Sequence, residues 1–314
     1  MKEFEYRHLR DAYGEVLLEL GEKYRDMVVL DADLSSSTRT ARFGAKFPER
    51  FFNVGVSEQD LMSTAAGLAI GGKRPVVSTF AIFATGRAWE QIRQSIAYAN
   101  VNVKIVASHG GVTVGEDGAT HQMLEDFAIM RVLPNMRVLC PADYYETKVV
   151  VRKAFETEGP VYIRLSRAKF PVIFDEKHDF EIGRAQIIRE GKDLTAVGVG
   201  ITVYGLLQAA EELEKDGISI EIINSPSIKP LDGETIKKSA EKTGKVFTVE
   251  EHSVIGGLGS AIAEYLSQHY PVKMKIHGMK DVFGRSGTAM ELLSYYKLDP
   301  TGIKEEILKF LESS

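Results

Sequence analysis

Short apolar runs recur along the chain with room for one helix between successive runs. MVVLDAD, FFNV, PVVSTF, VKIVAS, MRVLCPA and VYIRLS read as strands, separated by helical patterns such as LMSTAAGLAIGG and GRAWEQIRQSIAYAN. Alternation of this kind predicts a parallel sheet with helices on both faces. Between residues 170 and 192 the sequence FPVIFDEKHDFEIGRAQIIREGK loses the rhythm and becomes charged. The rhythm then returns, with LTAVGVG, ISIEII and KVFTVE as strands and VYGLLQAAEELEKDG, ETIKKSAEKTG and GSAIAEYLSQ as helices. The expectation is an α/β chain of two doubly wound domains, each with a mostly parallel sheet flanked by helices. They fall at residues 1–172 and 190–314, joined by a linker over 173–189.

Composition narrows the class. With 314 residues, 44% hydrophobic and 26% charged, the chain has an ordinary globular balance and enough length for two buried cores. No stretch approaches the ~18 consecutive apolar residues of a membrane span, and MKEFEYRHLR is charged where a secretion signal would be apolar. The single Cys140 forms neither an intrachain disulfide nor a cysteine metal cluster, which agrees with a reducing compartment. These features predict a cytoplasmic protein with no membrane partner. A net charge of -5 argues against a nucleic-acid partner, so any anionic ligand must be met by local cations.

The unusual residues of the first half fall at strand ends. Asp33 follows MVVLDA, Glu58 follows FFNVGV, Phe80 ends PVVST, His109 follows VKIVAS and Arg167 follows VYIRLS. In open α/β sheets ligands bind at the carboxyl edge, so these residues are expected to share one rim. The plain reading of Glu58 is helix capping: Ser57 and Asp60 have capping-box spacing, and an acid in the first turn suits the helix dipole. Most acids at such positions do nothing more.

The stretch from His109 to Gln122, HGGVTVGEDGATHQ, has four glycines in fourteen residues and supplies His109, Glu116, Asp117 and His121 as titratable groups. A flexible surface loop is the ordinary alternative. Neither GxGxxG nor GxxxxGK[ST] is present, and the two histidines lack zinc-ligand spacing, so no phosphate loop or metal site is predicted.

In order and spacing, GVSEQD, STFAIF, GEDGATHQ, LPNMRV, PADYYE, LSRAKFP and VEEHSVIGGLG resemble the C-terminal half of transketolase, a thiamine-diphosphate enzyme. The resemblance covers nearly the whole chain. The family's N-terminal domain carries a GDG motif and a downstream Asn that hold magnesium and the diphosphate, and no such motif occurs here. The resemblance therefore implies one subunit of a split transketolase. It would be completed by a separate diphosphate-binding subunit holding Mg2+ or Ca2+, with two copies of each chain expected.

Carried over residue by residue, the resemblance assigns Glu58 to the cofactor's aminopyrimidine ring, where its hydrogen bond promotes deprotonation of the thiazolium carbon. Phe80 and Phe83 match the aromatic pocket around that ring, although ordinary core packing explains either one alone. Asp33 matches an acid near the thiazolium. Asp117 matches the residue that reads the sugar hydroxyl beside the carbonyl, and His121 is a candidate proton carrier. Arg10, Ser37, His109 and Arg167 match the family's sugar-phosphate ligands, and Arg10 lies 23 residues before Asp33 as in the family. Guanidinium groups suit phosphate because they bind it bidentately.

Three positions depart from the common pattern. Ser57 and Gln59 stand where the family has Arg and His around the glutamate, a pattern nearer to 1-deoxyxylulose-5-phosphate synthase, and Gly86 replaces a third aromatic. The function expected is transfer of a two-carbon ketol unit from a ketose phosphate to an aldose phosphate. The alternatives are a synthase of that type, a 2-oxo acid dehydrogenase β subunit, or a noncatalytic assembly subunit.

Overall fold

The computed structural model describes residues 4–313. In chain order the first half contributes β1 (Tyr6–His8), β2 (Met27–Asp31), β3 (Phe51–Asn53), β4 (Arg74–Phe80), β5 (Lys104–Ser108), β6 (Arg137–Leu139), β7 (Val161–Arg164) and β8 (Lys169–Pro171). The second half contributes β9 (Gln186–Arg189), β10 (Leu194–Gly198), β11 (Ile220–Asn224), β12 (Ser227–Lys229), β13 (Lys245–Ser253) and β14 (Lys273–Met279). Every residue of β2, β5, β7, β10 and β11 is buried. Strands covered by helices on both faces have no wet side, which is why they read as nearly unbroken apolar runs.

The larger sheet has the order β12-β6-β7-β5-β4-β2-β3, and the smaller β14-β13-β10-β11-β9. From β2 to β7 the first-half strands are parallel to their neighbours, so their carboxyl ends line one edge. The chain passes from β2 to β3 at the sheet's edge and then returns to place β4 on the other side of β2. That reversal makes the carboxyl ends of β2 and β4 a switch point, where open α/β sheets hold ligands in a crevice. Both domains have the doubly wound, mostly parallel character read from the sequence. Among the described residues no helix is long and apolar enough to cross a membrane.

The halves are interleaved as well as linked. Strand β12, from the second half, pairs antiparallel with β6 and extends the first-half sheet. Residues 173–189, read from the sequence as a linker, are pinned to both halves. The backbone N–H groups of Ile173 and Phe174 donate to Asp143 Oδ2 at 2.8 and 2.7 Å, Phe180 is buried, and β9 forms an antiparallel edge of the smaller sheet. Charge in that stretch disguised a strand, because an edge strand tolerates polar residues on its open side.

A buried ion network joins the halves. Arg164 at the end of β7 lies 3.2 Å from Asp126 Oδ1, and its Nη2 donates to the Glu251 carbonyl at 2.6 Å. Its guanidinium packs over Phe127, 4.6 Å from the ring centroid. Glu251 Oε1 in turn accepts from Thr113 N at 2.5 Å, so VEEHS of the second half fixes the start of the glycine-rich loop. Two of that loop's glycines are explained here. A Cβ on Gly110 would lie 2.2 Å from Arg164 Nε, and one on Gly111, whose φ is +81°, would lie 2.1 Å from Glu251 Cδ. The close approach that requires glycine is therefore to the chain's own ion pair. Replacing Arg164 with Met leaves Asp126 and Glu251 buried without their countercharge and should cost about 3–5 kcal/mol. The check is the urea unfolding midpoint, and an unchanged midpoint would remove the network from the account.

Candidate functional site

At the end of β2, buried Asp31 accepts hydrogen bonds from Leu34 N at 2.6 Å, Thr38 Oγ1 at 2.7 Å and Thr40 Oγ1 at 2.8 Å. This fixes the short helix Ser35–Thr38 that carries Ser37. Asp33 is exposed with φ +64°, a left-handed conformation uncommon outside glycine. It exchanges two hydrogen bonds with Asn53 at the end of β3: Asp33 N donates at 3.0 Å, and Asn53 Nδ2 donates back at 3.1 Å. The switch-point crevice is thereby tied on one side.

Gly55, with φ +74°, turns the chain from β3 into the helix Glu58–Ile70. The capping box expected from Ser57 and Asp60 does not form. Ser57 makes no side-chain cap, and Asp60 Oδ1 instead accepts from Thr64 Oγ1 at 3.2 Å. Glu58 is 1% exposed, and its Oε2 lies 2.7 Å from Arg87 Nη1. A solvated helix-end acid would be wet, whereas this carboxylate is buried at the rim and held by one cation.

Aromatic rings line the rim beside it. Phe80, at the end of β4, stacks on His109 with centroids 3.6 Å apart and on Phe83 with centroids 5.8 Å apart. Phe83 meets His121 edge-on at 5.5 Å. His109 is 3% exposed with φ +62°, and its Nδ1 shares a hydrogen bond of 2.8 Å with Ser108 Oγ. Burial, reinforced by the Arg10 and Arg167 charges, pushes its pKa down to about 2. His109 is thus a neutral ring held against Phe80.

A cationic corner lies at the other end of the rim. Arg10 is 8% exposed, and it donates from Nη1 to the Ser37 carbonyl at 2.6 Å and from Nη2 to the Arg167 carbonyl at 3.2 Å. Its Nε is buried without a partner, and burial lowers its pKa to about 10. Arg167 donates from Nη1 to the Val114 carbonyl and pairs with Glu116 Oε2 at 3.0 Å. Arg10, Ser37, Arg167 and His109 are therefore brought into one corner. Asp117 is exposed at the end of the turn Val112–Asp117, and His121 is half-buried with Nδ1 3.0 Å from Thr120 Oγ1.

The sequence reading missed Arg87, Asp31, Asn53 and the Glu116–Arg167 pair. Asp31 carried a signal, as an acid ending an otherwise apolar strand. Arg87 did not, because the helix carrying it is locally widened: Phe83–Arg87 is a π-turn, and Ala88 N donates to Phe83 O at 3.3 Å. The usual 3.6-residue period therefore misplaces its face.

The site suits a planar heteroaromatic ring that presents a hydrogen-bonding edge. Glu58 offers one buried carboxylate at the rim, and Phe83, joined to it through Arg87, offers an apolar ring backed by Phe80. Thiamine diphosphate's aminopyrimidine fits that donor set. Among the described residues no group of three or more His, Cys, Asp or Glu converges as metal ligands.

Comparison with known proteins bears on the same residues. Residues 6–172 match the family described as transketolase, pyrimidine binding domain, and residues 183–303 match transketolase, C-terminal domain. The chain is 52% identical over 307 residues to a putative transketolase C-terminal section from Methanocaldococcus jannaschii, covering 97% of this chain and 96% of the relative. It is 43% identical over 279 residues to a 6-deoxy-6-sulfo-D-fructose transketolase subunit from Clostridium sp., covering 89% and 87%. A solved structure described as a split gene transketolase, inactive beta4 tetramer, superposes with a TM-score of 0.91 at 51% identity, covering 97% of this chain and 98% of that one.

His109 supplies a direct check on the site's electrostatics. The unfolded chain protonates this ring near the ordinary value of 6.5, whereas the folded chain resists down to about 2. Stability tied to His109 is therefore present above the ordinary value and is lost as pH falls toward the folded one. In an imidazole-resolved NMR titration, the His109 signal should stay that of a neutral ring from about pH 8 to about pH 4. A midpoint near the ordinary value would show that the ring is not buried as described.

Proposed function

The chain belongs to the transketolase family, and we propose that it is the pyrimidine-binding and C-terminal subunit of a thiamine-diphosphate-dependent transketolase. The observation that carries this reading is the buried Glu58 carboxylate at the switch-point rim, joined through Arg87 to Phe83, which stacks on Phe80. The relatives described above align along nearly their whole length and are named as a transketolase section or subunit, which supports a divided enzyme over the synthase and dehydrogenase readings. The bound cofactor supplies the nucleophilic carbon that accepts and donates the two-carbon unit.

This chain's residues position and protect that chemistry. Glu58 shares a proton with the pyrimidine ring nitrogen, while Phe80 and Phe83 cover the ring faces and exclude water. Asp33, held in its strained conformation by Asn53, presents a carboxylate where the crevice opens. Neutral His109 lies with the arginines at the phosphate end, while His121 is placed to carry a proton and Asp117 to read the hydroxyl beside the carbonyl. Arg10, with its free buried Nε, and Arg167 receive the phosphate of a ketose or aldose phosphate next to Ser37. The reaction proposed is ketol transfer between those sugars.

Because the groups on this chain reach only the pyrimidine end, a second subunit supplies the diphosphate and Mg2+ or Ca2+ site across the rim, in an assembly with two copies of each chain. A relative of this chain forms a tetramer described as inactive, which supports the requirement for a partner. Pyrimidine contacts without a neutralised diphosphate should hold the cofactor weakly. Purified alone with thiamine diphosphate and magnesium, this chain should show no ketol transfer. Adding the diphosphate-binding subunit should restore activity, saturating at one partner per chain. Robust turnover by the isolated chain would contradict the divided site.

A further inference from the structure

Arg87 occupies the two surfaces that the thiamine reading assigns to the pyrimidine. Its Nη1 lies 2.7 Å from Glu58 Oε2, and its guanidinium lies over Phe83, 4.9 Å from the ring centroid. A planar ring hydrogen-bonded to Glu58 and packed on Phe83 needs both of those places. The burial of the pair is one-sided: the Glu58 side chain is 1% exposed, whereas that of Arg87 is 49% exposed.

The asymmetry has a physical consequence. A buried carboxylate without a countercharge is costly, so the cofactor-free chain needs a cation at Glu58. The same cation opposes the proposed role, because a carboxylate oxygen bonded to the guanidinium at 2.7 Å is not free to meet a ring nitrogen. Arg87 can leave at small cost, since half of its side chain already faces water and the guanidinium regains hydration on moving outward. Its place on the π-turn Phe83–Arg87 sets it at that junction.

We propose that Arg87 is a latch, closed on Glu58 and Phe83 in the cofactor-free chain and displaced outward when the aminopyrimidine binds. The proposal rests on the thiamine reading and adds a regulatory step to it. Cofactor affinity then carries the cost of opening the latch, and weakening the latch removes part of that cost.

The test has two arms. In the complex with the partner subunit, calorimetric titration with thiamine diphosphate and magnesium should give binding roughly tenfold tighter for Arg87→Met than for the unsubstituted protein, with Arg87→Lys between them. Unchanged or weaker binding in Arg87→Met overturns the latch alone, since a residue that merely orients Glu58 would lose affinity when removed. No binding by the unsubstituted complex removes the thiamine reading and the latch with it. In the chain alone, Arg87→Met should lower the unfolding midpoint, and combining it with Glu58→Gln should recover most of the loss, because the carboxylate needing a countercharge is then absent. Additive effects of the two substitutions would show that the pair does not interact, and would also overturn the latch.

Discussion

The parallel alignment of β2 to β7 is the constraint on which the site depends. Because those strands run the same way, residues scattered from Asp33 to Arg167 emerge at one edge. A parallel sheet must be covered on both faces, and that covering carries the site residues into place. The helix Glu58–Ile70 begins at the rim and buries Glu58 there, and the π-widened segment after β4 brings Phe83 and Arg87 beside it. The Arg164 network then anchors the glycine-rich loop from the other half, so the second half of the chain helps hold the first half's rim.

Within that frame, the chain answers its own charges. Its net charge is -5, yet Arg10, Arg167 and Arg87 gather at the rim. Arg87 meets Glu58 and Arg167 meets Glu116, while Arg10 is satisfied mainly by backbone carbonyls. Two of the three guanidinium groups are thus met by acids, and Arg10 keeps a charge balanced only by carbonyl dipoles. His109 fits the same logic, as a ring kept uncharged among guanidinium groups.

The fold was legible because its central strands are buried on both faces and so carry an unmistakable apolar signal. The rim was legible for the same reason, since strand ends located its residues before any contact was known. What escaped the sequence was set by tertiary partners. Strand β12 in NSPSIKP is three residues long and pairs with β6, a strand from the other half of the chain. Strand β14 alternates Lys273, Lys275 and His277 with apolar residues at the edge of its sheet, and its charges hid it. The loop's Gly110 and Gly111 make room for Arg164 and Glu251, partners distant in the chain that the local sequence does not reveal. Arg87 was invisible because a π-turn breaks the period by which helix faces are inferred.

Exchange of the thiazolium C2 proton with deuterium, followed in the complex with the partner subunit, tests most directly whether Glu58 activates the cofactor. It reports on cofactor activation without any sugar, so the cationic corner and Asp117 do not enter. With Glu58 replaced by Ala, exchange should slow by orders of magnitude while the cofactor remains bound at saturating concentration and the chain stays folded. Exchange as fast as in the unsubstituted complex would mean that the buried carboxylate at the rim does not activate the cofactor, and the account of the site would fail with it.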